Sequence, residues 1–274
     1  MSNQQLIADH LLKWFPDLSV ETSSYLINFS TRWCYLYLEM PKVACSTIKR
    51  TLHRLELGGD SELPEDIHFR STSPLQGPFV DPANFIKAQT DSSWTRFTFV
   101  RNPYSRIVSC FLNKFQDRSR ENDPKAYRRM LNGLGLDIRR QPDFLEFLNA
   151  VKEQPFGQMD IHWLPQTLVL KGFVAPAIIG RFESFKTDFS HILQQISGEN
   201  CPTIEDARKY YAHSYSTDAV SMVGRIIGRK ERELVTEIYE KDFEVLGYSP
   251  DPDKISHTEF TERPHEHNLL FLTR

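Results

Sequence analysis

The stretch Leu38-Glu39-Met40-Pro41-Lys42-Val43-Ala44-Cys45-Ser46-Thr47-Ile48 limits what this chain can fold into more than any other. Before it, Trp33-Cys34-Tyr35-Leu36-Tyr37-Leu38 is aromatic and apolar without alternation, as a strand buried on both faces would be. Pro41 ends that strand and biases Met40 toward extended geometry. After the turn, Ile48, Leu52 and Leu55 recur at helical spacing, with Lys49, Arg50 and Arg54 on the other face, until Gly58-Gly59 stops the helix. Strand, turn and helix in this order present unpaired N–H groups at a helix N-terminus, together with Lys42, Ser46 and Thr47. Such an end favours phosphate or sulfate, because the dipole and the unpaired donors both attract an anion. A buried strand-loop-helix corner carrying a surface lysine would read the same way, so the turn alone leaves both open. It is not a Walker A loop, and Gly224 to Lys230 (GRIIGRK) has the wrong spacing and no Ser/Thr after the lysine.

A second strand-turn-helix follows. Arg96 to Arg101 (RFTFVR) reads as a strand, Asn102-Pro103 as its turn, with Pro at the first helical position. Tyr104, Ile107, Val108, Phe111, Leu112 and Phe115 trace one apolar helix face, and Ser105, Ser109 and Asn113 trace the opposite one. Arg101 at the strand end and Ser109 two turns up the helix can point into one crevice, where a guanidinium and a hydroxyl suit a phosphate monoester. A solvated polar face would show the same residues.

Elsewhere, Met1 to Ser30 predicts one amphipathic helix (Leu6, Ile7, Leu11, Leu12, Phe15) stopped by Pro16 and followed by irregular chain. A short strand is expected around Ile67-His68-Phe69. That would put His68 near the carboxyl end of a parallel strand, where site residues collect. Phe185, Phe189, Ile192, Leu193 and Ile196 predict a core helix, and Leu234, Val235, Ile238 and Tyr239 pack a C-terminal one. His213-Ser214-Tyr215-Ser216 precedes that helix as a polar connector or a closing segment, while Arg225, Arg229 and Lys230 read chiefly as a solvated basic face.

Composition narrows the function classes. The net charge of -3 over 274 residues argues against a general nucleic-acid binder. Arg96 to Arg140 nevertheless holds eleven Lys/Arg against four acids, which implies a local anionic ligand. Cys34, Cys45, Cys110 and Cys201 are scattered without a C-x-x-C pair, as expected of reduced thiols. No metal-ligand cluster stands out, since His265-Glu266-His267 lies in a polar tail. The apolar runs, such as Trp33 to Leu38 and Phe173 to Ile179, are strand-sized, and no secretory signal opens the chain, so no transmembrane segment and a cytoplasmic location are expected.

Two motifs together are specific. Pro41-Lys42-Val43-Ala44-Cys45-Ser46 resembles the 5′-phosphosulfate-binding loop of sulfotransferases that use 3′-phosphoadenosine-5′-phosphosulfate (PAPS). Phe99-Val100-Arg101-Asn102-Pro103-Tyr104-Ser105-Arg106-Ile107-Val108-Ser109 resembles their 3′-phosphate-binding strand and helix. The branch is the carbohydrate type that includes chondroitin, dermatan and HNK-1 enzymes, with its P-K-V-A-C loop and its N-K-F continuation at Asn113-Lys114-Phe115. Asp160-Ile161-His162-Trp163-Leu164-Pro165-Gln166, Ile179-Gly180-Arg181-Phe182-Glu183, and Tyr239-Glu240-Lys241-Asp242-Phe243-Glu244 with Gly247-Tyr248 agree with it. Two departures stand out. Animal members are Golgi proteins with an N-terminal membrane anchor, and their Thr-Asn-Trp is Ser46-Thr47-Ile48 here.

The resemblance implies an α/β, P-loop-like three-layer fold with a central parallel β-sheet flanked by helices. It implies a single domain over 1–274, with its core at about 30–250 and the N-terminal helix and C-terminal tail peripheral. PAPS would be the sulfate donor, its bisphosphate (PAP) the product, and a hydroxyl of a glycan or other hydroxylated molecule the acceptor, with neither metal nor nucleic acid involved. Pro41, Lys42, Val43, Ala44, Cys45, Ser46 and Thr47 would hold the 5′-phosphate side, Arg101 and Ser109 the 3′-phosphate. Lys42 would stabilise charge on the bridging and leaving oxygens. His68 or His162 would take the acceptor's proton, with Glu39 as a third possibility. The competing readings are a P-loop-type nucleotide kinase and a non-catalytic nucleotide-binding module of the same fold.

Overall fold

A computed structural model describes residues 2–58, 62–115, 121, 123–172, 177–204 and 218–254. The expected features at 173–176, 213–216 and 265–267, and the second glycine of the Gly58-Gly59 stop, lie outside these residues. In chain order the elements are α1 (Asn3–Trp14), α2 (Val20–Leu26), β1 (Ile27–Ser30), β2 (Tyr35–Leu38), α3 (Cys45–Leu57), α4 (Pro82–Thr90), β3 (Thr95–Val100), α5 (Pro103–Lys114), α6 (Pro124–Gly133), α7 (Phe144–Glu153), α8 (Gln166–Leu170), β4 (Ile178–Arg181), α9 (Phe185–Ser197), α10 (Ala219–Ile226), α11 (Arg229–Ile238) and α12 (Glu240–Leu246). They fall into two compact units. The first holds the described residues up to Val100 and those from Leu168 to position 204; the second holds those from Arg101 to Thr167 and from 218 on.

The first unit is an α/β sheet of order β1-β2-β3-β4. β2, β3 and β4 run parallel, with Tyr37 opposite Phe97 and Phe99 opposite Gly180. The edge strand β1 is antiparallel to β2, with Ile27 opposite Leu38. All four β2 residues are buried, as the unbroken apolar run requires. Side-chain alternation assigns the two faces. Phe97 and Phe99 point to one, where they meet Phe189 of α9 at centroid distances of 6.4 and 5.7 Å. Phe29 points to the other and meets Phe85 of α4 at 6.3 Å, with Trp14 of α1 5.5 Å beyond. Arg96, on that second face, ties down the end of α4 through the carbonyls of Ala88 and Asp91. Helices thus cover both faces of a mostly parallel sheet, the fold class that the resemblance implied.

The irregular chain expected before Ser30 is instead α2 followed by β1. Ser19 caps α2 by accepting from the Thr22 N–H, a start signal without the periodicity to announce it. Nor does residue 67–69 form a strand; it is a turn leading into a short 3-10 helix, Arg70–Thr72. The Arg70 guanidinium donates to the carbonyls of Ser24, Tyr25 and Ile27, pinning this turn to the α2–β1 junction, which an extended strand could not reach.

The second unit is helical and is centred on an aromatic cluster. Phe111 of α5, Phe115 at its C-cap, Phe144 and Phe147 of α7, and Trp163 pack with neighbouring centroids 4.9 to 6.2 Å apart. α5 is buried from Pro103 to Leu112, Ser105 and Ser109 included, so the face expected to be polar lies inside. The single C-terminal helix expected around Val235 is two, α11 and α12, broken at Tyr239, whose hydroxyl donates to the Trp163 carbonyl. None of the described helices is long and apolar enough to cross a membrane.

Candidate active site

Six of the twelve described helices start on a side chain that accepts from the first turn: Ser2, Ser19, Asp81, Asn102, Asp123 and Asp143 serve α1, α2, α4, α5, α6 and α7. α3 starts otherwise. Its N-cap is Ala44, which offers no side-chain acceptor and adopts φ 56°, ψ 22° in the left-handed region. Lys42, two residues earlier, is also left-handed at φ 69°. Each such conformation costs a non-glycine residue about 1–3 kcal/mol, and strain of this kind collects where a ligand is held. Alternating hands along the backbone aim successive N–H groups to one side, which makes an anion-binding concavity. Pro41 to Thr47 thus joins β2 to α3 through two left-handed residues, with Val43 buried between them.

Beside the turn stands His68. Its Nε2 lies 3.0 Å from the Ser46 hydroxyl, on the first turn of α3. Its Nδ1 faces the Tyr25 hydroxyl at 3.4 Å and Glu39 Oε1 at 3.6 Å, the latter a charge contact rather than a hydrogen bond. Glu39 is 2% exposed, and its other oxygen accepts from Lys49 Nζ at 3.0 Å. Lys49 is itself 1% exposed and lies over the Tyr25 ring. The sequence reading placed Lys49 on the face opposite Ile48, Leu52 and Leu55; it is buried because a buried carboxylate needs a cation. Burial alone would raise the Glu39 carboxyl, but the close approach of His68 and the charge and hydrogen bond of Lys49 bring it down to about 2. A base that weak, held in an ion pair, is badly matched to proton abstraction near neutrality. Desolvation and then the Glu39 charge push the Cys45 thiol up to about 11, so it carries no thiolate there.

His53, buried on α3, bonds through Nε2 to Ser73 at 3.0 Å, and burial followed by the charges of Lys49, His68 and Arg50 pushes it down to about 3. It is a neutral support for the segment that follows His68.

In the second unit, Arg101 and Ser109 are both 5% exposed, and Arg101 Nε donates to Ser105 at 2.9 Å. The Arg101 backbone is clasped twice: its N–H donates to Gln166 Oε1 and its carbonyl accepts from Gln166 Nε2, each at 2.9 Å. Buried Asp242 in turn accepts from the Gln166 N–H and side-chain amide and from the Thr167 N–H and hydroxyl. His162 is oriented by Asp160, with Nδ1 2.5 Å from its carboxylate. Burial would raise the Asp160 carboxyl, yet bonding to His162 takes it below its usual range.

Several described cations of the basic run from Arg96 to Arg140 are engaged within the protein. Arg96 and Arg106 spend their donors on backbone carbonyls, Arg106 on Leu164 and Ile161; Arg139 and Arg140 pair with Asp137 and Glu146. Arg225, Arg229 and Lys230 are exposed, and Arg229 pairs with Glu233 at the mouth of a hollow of about 750 Å³ whose other lining residues are Arg232, Thr236, Glu237 and Glu240. With three acids against two arginines, that hollow is no anion site. Among the described residues no group of three or more His, Cys, Asp or Glu is placed to hold a metal ion.

The segments that accompany the two motifs acquire a physical role, since Asp160–Gln166 and Tyr239–Glu244 supply the clasp on Arg101. Comparison with known proteins then gives a match to the Sulfotransferase family over residues 28–249. The chain belongs to the sulfotransferase family. Similar relatives of this sulfotransferase-family chain include carbohydrate sulfotransferase 9 of Homo sapiens, 25% identical over 233 residues that cover 78% of this chain and 51% of that protein. Carbohydrate sulfotransferase 14 of Danio rerio is 25% identical over 230 residues, covering 81% and 61%. Its Mus musculus counterpart is 29% identical over 196 residues, covering 62% and 46%. The chain thus spans about half to three-fifths of the length of these curated relatives. Among solved structures nothing matches.

Glu39 as a partner of His68, Lys49, and the Gln166–Asp242 clasp were not legible as such in the sequence. The signal for Lys49 was there: Glu39 is the one acid between apolar Tyr35 and Val43, and a buried acid requires a cation close by.

Proposed function

We propose that this chain transfers the sulfuryl group of PAPS to a hydroxyl of a glycan or another hydroxylated acceptor, leaving 3′,5′-adenosine bisphosphate. The observation that carries the reading is the turn itself: left-handed Lys42 and Ala44 lead into a helix start without a capping side chain, and a histidine is hydrogen-bonded to its Ser46. Family membership and the word carbohydrate in the relatives' names support the reaction class and the acceptor class.

The donor supplies an activated S–O bond whose cleavage leaves negative charge on a phosphate oxygen. The residues of the turn suit such a group. Backbone N–H groups from Ala44 to Thr47 and the Ser46 hydroxyl hold the 5′-phosphate, the Val43 N–H being donated to the Met40 carbonyl, and the Lys42 ammonium stabilises the charge that develops. Arg101 and Ser109 hold the 3′-phosphate, with the Arg101 main chain fixed by Gln166. His68 receives the acceptor's proton at Nε2 as the new O–S bond forms; His162, oriented by Asp160, is the second candidate for that step. As in phosphoryl transfer, positioning and electrostatics supply most of the rate. A cytoplasmic location belongs to the same proposal and accords with free Cys34, Cys45, Cys110 and Cys201.

Calorimetry with 3′,5′-adenosine bisphosphate and, separately, with ATP plus magnesium tests the reading. Tight binding of the first and no response to the second are expected; no binding of the bisphosphate overturns it. With labelled sulfate donor and a glycan panel, Lys42→Ala should lower transfer about 10²- to 10³-fold without shifting the unfolding midpoint.

A further inference from the structure

Glu39 is too acidic and too enclosed to act as a base, yet it occupies a place that matters for one. Three groups converge on it and His68: Lys49 clamps one Glu39 oxygen at 3.0 Å while the other oxygen faces His68 Nδ1 at 3.6 Å, Tyr25 lies 3.4 Å from the same Nδ1, and Ser46 lies 3.0 Å from Nε2. A carboxylate has no proton to donate, so an imidazole nitrogen facing it is favoured as N–H, which leaves the opposite nitrogen with its lone pair. The lone pair then points at Ser46, on the turn proposed to hold the donor.

We propose that Glu39, held by Lys49, is the positioning residue that fixes His68 as the Nδ1–H tautomer, so that Nε2 is the proton acceptor for the incoming hydroxyl. The inference rests on the reading of His68 as the base. In the transfer step the acceptor O–H bond breaks and its proton moves to Nε2; the acceptor oxygen bonds to sulfur as the bond from sulfur to the phosphate oxygen breaks. The imidazolium so formed lies beside an anion that no longer needs to be neutralised by solvent. Three residues tie the arrangement to the backbone. Asp66 accepts from the His68 N–H at 2.8 Å, Arg70 pins the turn, and Lys49 lies one helical turn beyond Ser46. Besides Glu39, the titratable groups that face His68 are Tyr25, Asp66 and His53; Cys45 and Arg70 neighbour Tyr25, and Lys49 and Arg50 neighbour His53. Glu39 is the buried anion that directly faces the ring.

The test uses the full chain with ¹⁵N-labelled histidine. In the unmodified protein the His68 ring should show a protonated Nδ1 and a bare Nε2. Glu39→Gln alone strands the Lys49 charge, so the informative variant is Glu39→Gln with Lys49→Met, which removes the ion pair as a whole. It should fold, bind the bisphosphate unchanged, lose the tautomer preference, and lower kcat with donor and acceptor about 10²- to 10⁴-fold. Its acid limb in kcat/KM should move to lower pH as the imidazolium loses its counter-charge. A bare Nδ1 in the unmodified protein, or a double variant with unchanged tautomer and pH profile, overturns the assignment. Because the tautomer is read without turnover, a chain that transfers no sulfate would defeat the functional proposal while Glu39's role was still decided.

Discussion

At the scale of single residues, the turn Pro41–Thr47 holds a backbone shape that its own side chains do not favour. Ala44 at φ 56° carries a Cβ that crowds its carbonyl, a clash glycine lacks. Ala44→Gly should therefore raise stability by about 0.5 to 1 kcal/mol, the relief of strain exceeding the added entropy of the unfolded chain. Urea unfolding checks this; a loss of stability would mean that the left-handed conformation is unstrained here. Lys49 shows the opposite economy. Lys49→Met on its own leaves Glu39 charged and buried, and should lower stability by about 3–5 kcal/mol. Thermal melts of the single variant against its combination with Glu39→Gln separate the lost pair from lost packing.

Between elements, close approach and shared acceptors decide what can change. A Cβ on Gly180 of β4 would lie 2.3 Å from the Phe99 ring of β3, which is itself packed against Phe185 and Phe189. Gly180→Ala should lower stability by about 1–3 kcal/mol, seen as a lowered melting temperature. Asp242 receives four hydrogen bonds from Gln166 and Thr167, two from backbone N–H groups. Asp242→Asn turns one acceptor into a donor facing other donors. It should cost about 2–3 kcal/mol and weaken bisphosphate binding, measured by calorimetry, through the loosened Arg101 main chain. The sequence made the strand of Phe99 and the helix of Phe185 and Phe189 plain, but neither α8, which carries Gln166 and Thr167, nor α12 as a separate helix. β2, α3, β3, α5 and α9 have long apolar patterns whose period names the element. α2, with seven residues, is shorter than the window in which a helical period shows itself, and the register of the four-residue β1 is set by β2. The turn at His68 read as a strand because Ile67 and Phe69 flank it. Its actual course depends on Arg70 reaching carbonyls more than forty residues upstream, which no local pattern encodes. The same limit applied to the site: the residue types at Lys42, Ser46, His68, Arg101 and Ser109 were visible, whereas Glu39–Lys49 and Gln166–Asp242 exist only as pairs across the fold.

For the molecule as a whole, acid should be the weak point. The folded-state value of His53 is depressed from 6.5 to about 3, and that of Glu39 from 4.5 to about 2. The unfolded chain thus takes up these protons first as pH falls. The stability they contribute is fully present above about pH 6.5 for His53 and above about pH 4.5 for Glu39, and is lost toward their folded values. Each contributes a slope of at most about 1.4 kcal/mol per pH unit within its window. Urea midpoints taken from about pH 7 to about pH 4 should fall, and His53→Gln should flatten the upper part of that decline. An unchanged slope in the variant would show that His53 is not held neutral.

The Arg101 clasp also sets an order of events in synthesis. Arg101 is bonded to Gln166, 65 positions later, and Gln166 to Asp242, 76 later still. At a ribosomal rate of about 5–20 residues per second, the segment after β3 waits on the order of ten seconds for its last partner to emerge. The turn at Lys42 and its partner His68 are closed within a few dozen residues, whereas the Arg101 main chain is fixed only after nearly all of the described chain has been made. A nascent chain halted before Asp242 should hold the first arrangement without the second, so nucleotide capture would arrive as a late signal that translation has passed that point.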